Sequence, residues 1–95
     1  MSEVHVVVNV IDGIIDMVQV YAVEEDAMHC YRMCIKENSP FTRKEIIEIH
    51  IDNKEEFDSI WHTDSDQYLY DAETDCYYPK STESHDVMIY EEVVN

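Results

Sequence analysis

The sequence predicts an α+β fold, a mainly antiparallel sheet that starts with a β-hairpin and is packed by a helix. Three features predict it. Two apolar runs, 4–11 and 14–23, flank the dipeptide Asp12-Gly13. Residues 24–37 carry apolar side chains at helical spacing, and residues 87–94 alternate as a strand does.

Asp-Gly between strand-like runs signals a type I′ turn, which needs positive φ at both central residues. Gly13 is the chain's one glycine, so the residue without a Cβ sits where the backbone bends hardest. An uninterrupted two-residue hairpin sets Ile11 opposite Ile14, Val10 opposite Ile15, Val8 opposite Met17 and Val6 opposite Gln19. Period-2 alternation then collects Val4, Val6, Val8, Val10, Ile15, Met17, Tyr21 and Val23 on one face, which is expected to meet the core. The other face is mixed: His5, Val7, Asn9, Ile11, Ile14, Asp16, Val18 and Val20. It is expected to be half-covered or a contact surface.

Glu24-Glu25-Asp26 places acids where a helix dipole is positive. Ala27, Cys30, Tyr31, Cys34 and Ile35 follow at i, i+3, i+4, i+7 and i+8, and Pro40 ends the run. A helix over 24–37 lying on the hairpin is the expectation. In 45–52, Ile47, Ile49 and Ile51 alternate with Glu48, His50 and Asp52, which predicts a third, half-buried strand. Asn53 can cap a short second helix over 53–62, with Phe57, Ile60 and Trp61 on one side. A later hairpin spans 67–78, and the C-terminal strand spans 87–94. Ninety-five residues suit a single small acidic domain.

Charge narrows the function classes. Twenty-two acids against six bases give a net charge of −16. Residues 45–78 alone hold eleven acids and one lysine, net −10. Such a field repels nucleic acid and anionic membranes and favours basic protein surfaces. No basic segment precedes an apolar run as in a secretory leader, so the cytoplasm is the expected location, that of a host cell if the chain is phage-encoded. Cys30, Cys34 and Cys76 have no framework spacing and read as reduced thiols.

Catalytic and metal signals are weak. No nucleophile elbow, P-loop or cysteine–histidine signature is present, and one glycine cannot build a phosphate cradle. No enzyme and no cofactor is expected. His62, Asp64 and Asp66 suggest a divalent-ion site, but the calcium-loop pattern fails where Tyr68 stands in place of a ligand. His29, Cys30 and Cys34 lack the second pair that zinc needs.

The acidic stretch is the candidate binding site. Its residues are Glu45, Glu48, Asp52, Glu55, Glu56, Asp58, Asp64, Asp66, Asp71, Glu73 and Asp75, with Trp61, Tyr68 and Tyr70 interleaved as anchors. Carboxylates on a folded surface can occupy a groove built for phosphates. In composition the chain resembles the small acidic phage inhibitors that imitate DNA, such as anti-CRISPR, anti-restriction and uracil-DNA glycosylase inhibitor proteins. The likeness is one of charge and size. It implies a non-enzymatic inhibitor whose partner is a basic nucleic-acid-handling protein. The alternatives are a self-associating module, a homodimer on the mixed hairpin face, and a weak divalent-metal-binding domain or small enzyme.

Overall fold

The computed structural model describes residues 2–94. Its contacts divide the chain into two compact units, residues 1–37 with 81–95, and residues 38–80. The expected α+β class and antiparallel pairing hold, with the strands shared between two three-stranded sheets.

The first unit contains β1 (Ser2–Ile11), β2 (Ile14–Tyr21), α1 (Glu24–Ile35) and a long last strand, His85–Val94. The turn is as expected, with φ of 53° at Asp12 and 78° at Gly13. The last strand pairs antiparallel with β1 along its whole length, from Ser2 opposite Val94 to Ile11 opposite His85. β1 is therefore central and β2 an edge.

The expected hairpin register is corrected by one residue. Ile11 faces Ile14 and Val10 faces Ile15, but Asn9 then faces Met17, so Asp16 is left over in a β-bulge. Beyond the bulge Val8 faces Val18 and Val6 faces Val20. The expected core face of β1 is corrected too: His5, Val7 and Asn9 are buried, while Val4, Val6, Val8 and Val10 are half-buried. The slip carries Met17 and Tyr21 of β2 onto the side of Asn9 and His5. α1 packs on β1, β2 and the last strand, burying Ala27, Cys34 and Ile35 of the expected stripe. Three polar residues, His5, Asn9 and His85, are also buried in this unit. His85 Nε2 meets Asn9 Oδ1, and His5 Nδ1 lies 3.8 Å from Glu91 Oε1. The hydrogen bond between His85 and Asn9 offsets the cost of burying those two side chains. All three cysteines are free, and burial pushes the Cys34 thiol up to about 11.

The second unit contains β3 (Phe41–Thr42), α2 (Arg43–His50), α3 (Lys54–Ile60), β4 (Tyr68–Asp71) and β5 (Cys76–Pro79), so the last strand of the chain is β6. Its sheet has the order β3-β5-β4. The strand expected over 45–52 is corrected to the helix α2. Thr42 and Glu45 form a reciprocal capping box: the Glu45 N–H donates to Thr42 Oγ1 at 3.2 Å and the Thr42 N–H donates to Glu45 Oε1 at 3.1 Å. The helix buries Ile46 and His50, one turn apart, and leaves Ile47, Ile49 and the following Ile51 exposed. Asn53 caps α3 as expected, accepting from the Glu56 N–H at 3.1 Å. The core joins Ile46, Ile60, Tyr68 and Tyr77, with Phe41, Phe57, Trp61 and Tyr70 packed around it. Two of its aromatic pairs meet edge to face, Phe41 with Tyr68 at 6.1 Å and Tyr68 with Tyr77 at 6.4 Å.

Candidate partner-binding surface

Each unit holds eleven acids. Two bases offset them in the first unit and four in the second, leaving net charges of −9 and −7. The candidate residues all lie in the second unit, and the structure sorts them by what their side chains do.

One group is committed to the fold. Glu45 closes the capping box of α2. Glu56 accepts from Gln67 Nε2 at 2.6 Å and Asn53 Nδ2 at 3.1 Å, and its Oε1 lies 3.5 Å from His50 Nδ1. Asp64 accepts from the Tyr70 N–H at 2.8 Å. Asp71 accepts from the Glu73 N–H and the Thr74 hydroxyl, both at 3.1 Å, and so closes the β4–β5 turn. Asp75 accepts from the Tyr70 hydroxyl at 2.6 Å and pairs with Arg43. The Tyr70 hydrogen bond, with Arg43 assisting, holds the Asp75 carboxyl below its ordinary value. The same bond pushes the Tyr70 hydroxyl up to about 12.

The aromatic anchors belong to this group too. Tyr68 is a core residue whose hydroxyl lies 2.8 Å from His50 Nε2. Trp61 stacks on Phe57 at 4.9 Å, with the Arg43 guanidinium 5.5 Å from its ring centre. Tyr70 lies half-buried beside Tyr77 and His62. The sequence offered His62 beside Asp64 and Asp66, but the structure sets it with Arg43 at Asp75 and Tyr70, a grouping the sequence did not reveal. Arg43 and Asp75 are far apart in the sequence, so nothing local marks their pairing.

The second group faces water. Glu48, Asp52, Glu55, Asp66 and Glu73 are exposed, and no side-chain hydrogen bond or ion pair engages them among the described residues. Asp58 is exposed and pairs with Lys54 at 2.9 Å. Beside the acids of α2 and α3, a shallow cleft of about 200 Å³ is lined by Ile47, Ile51, Lys54 and Phe57. Ile47 and Ile51 lie one helical turn apart, a spacing that the strand reading of 45–52 hid. The T-x-x-E signature of Thr42 and Glu45 is the signal that reveals it.

Among the described residues no three His, Cys, Asp or Glu side chains gather as a metal set, and no helix is long and apolar enough to cross a membrane. No protein-family model matches the chain, and no curated protein or solved structure matches it.

Proposed function

We propose that the chain is a non-enzymatic inhibitor that binds a basic nucleic-acid-handling protein and occupies its nucleic-acid groove, as phage anti-defence proteins of the anti-CRISPR and other DNA-mimic classes do. The observation that carries this reading is the set of five unpartnered carboxylates, Glu48, Asp52, Glu55, Asp66 and Glu73, in the unit that also bears the isoleucine cleft. Unpaired carboxylates keep their full field for a partner, which raises the association rate. The cleft supplies the apolar contact that slows release, since a few well-packed anchors carry most of the binding energy. Ile47 and Ile51 take the part first given to the aromatics, which the core and the Arg43–Asp75 cluster hold in place.

The test separates charge from fold. Glu48, Asp52, Glu55, Asp66 and Glu73 are replaced together by Gln or Asn, leaving Glu56 and Asp64 with their internal hydrogen bonds. Wild type is expected to capture a basic protein from a bacterial lysate and to displace DNA or RNA from it. The five-fold variant is expected to fold normally and to associate about tenfold or more slowly at low salt. A variant that displaces nucleic acid as well as wild type would sink the reading.

A further inference from the structure

We propose that the uncovered face of the first unit's sheet packs against the same face of a second copy of this chain. The face is the one opposite α1. Val6 and Val8 lie at its centre, flanked by Val18 and Val20 on β2 and by Met88 and Tyr90 on β6. Ile15 continues it beyond the bulge, opposite Val10. Val18 is 51% exposed, Val20 59%, Ile15 63% and Tyr90 47%. These side chains project from adjacent strands without a charge among them. The acids of this face, Asp86 opposite Val10 and Glu92 opposite Val4, stand near the two ends of β6.

Three features select a second copy as the occupant. The face is a field of mainly β-branched side chains on three paired strands, and another twisted sheet is the surface that covers such a field, about 10 Å away at about −30°. Packing about a two-fold axis makes the identical face self-complementary. The area also suffices. Three strands about 4.8 Å apart and about 30 Å long make a footprint of about 400 Å² per copy, which with interdigitated side chains reaches the lower range of specific interfaces, about 1,000 Å² in total. Pairing along the β2 edge is disfavoured, because the bulge at Asp16 breaks the ladder and puts a carboxylate there. The partner copy is equally acidic, so its charge opposes association and salt assists it.

The experiment is sedimentation velocity on the full chain, from dilute to about 1 mM, at about 0.05 and 0.5 M sodium chloride. Wild type is expected to dimerise with a dissociation constant of about 1–100 μM, tighter at the higher salt. Val18→Glu and Val20→Glu replace residues already half in water on an edge strand, and each is expected to weaken dimerisation at least tenfold. Circular dichroism of the dilute variants is expected to match wild type. Ile49→Glu, on α2 outside the face, is expected to leave the dimer intact. A wild-type chain that stays monomeric throughout overturns the proposal and leaves the face to a different protein. A dimer that Val18→Glu and Val20→Glu leave unchanged also overturns it, because the contact then lies elsewhere. Loss of binding to a basic partner leaves this result unaffected, since salt moves the two associations in opposite directions.

Discussion

Asp75 takes positive φ, 54°, and so does His62 at 55°, a conformation that costs a non-glycine residue about 1–2 kcal/mol. Both sit in one cluster. The Tyr70 hydroxyl donates to Asp75 at 2.6 Å, His62 Nδ1 lies 3.1 Å from that hydroxyl, and Arg43 closes on the other carboxylate oxygen. The cluster's pH dependence has two ends. Asp75 titrates below its ordinary 3.8, chiefly through the Tyr70 bond, so its stabilising effect is present above that value and is lost as pH falls through the lowered one. Tyr70 titrates near 12 rather than 10.0, so its stabilising effect is complete below 10.0 and is lost as pH rises through about 12. Asp75→Asn is expected to bring the Tyr70 ionisation back toward 10.0 in an alkaline absorbance titration and to flatten the acid limb of the melting profile. An unchanged tyrosine titration would show that Asp75 does not hold the Tyr70 proton.

Thr42 illustrates how a short element depends on one end. α2 has eight residues, too few to be stable alone, and the capping box satisfies backbone donors at its N-terminus. Thr42→Ala is expected to cost about 1 kcal/mol, read as a lower urea midpoint for the fluorescence of Trp61, the one tryptophan. Thr42→Ser keeps the hydroxyl and is expected to restore most of that loss, whereas equal midpoints for Ala and wild type would refute the cap. The same helix shows where a pattern in the sequence misleads. Isoleucines at 47, 49 and 51 alternate as a strand would, yet the buried pair is Ile46 and His50. Period 2 and period 3.6 share too many positions over eight residues to be told apart without the cap. The hairpin turn, α1, α3 and the β4–β5 hairpin were readable because each has a local cause: Asp-Gly, a first-turn acid cluster with an apolar stripe, an asparagine cap, aromatic alternation. The bulge at Asp16 and the separation into two sheets have no such local mark. The division into two sheets follows from what β1 and β5 pair with far along the chain. In the candidate site, residue types gave the acids, but which were free to act depended on hydrogen bonds from distant side chains, such as Gln67 to Glu56.

The whole chain must hold sixteen uncompensated negative charges in its folded state, and this sets its response to salt. Two like charges 10 Å apart in water repel by about 0.4 kcal/mol. Both units are net negative, at −9 and −7, so many such pairs add within each, and unfolding relieves them by spreading the chain. Against this stand exposed pairs such as Lys54–Asp58, worth about 0–1 kcal/mol each, and only six basic residues are available to form them. Repulsion is the larger sum, so sodium chloride is expected to stabilise the protein. The melting temperature should rise by several degrees as the Debye length shrinks from about 30 Å at 0.01 M to about 10 Å at 0.1 M. The rise should then flatten toward 1 M, where the Debye length is about 3 Å and shorter than the spacing between most carboxylates. That plateau distinguishes screening from salt exclusion at the protein surface, which keeps adding stability with concentration. A melting temperature that falls with added sodium chloride would mean that the few ion pairs outweigh the acidic field. The charge would then be a smaller force in this fold than its count of carboxylates implies.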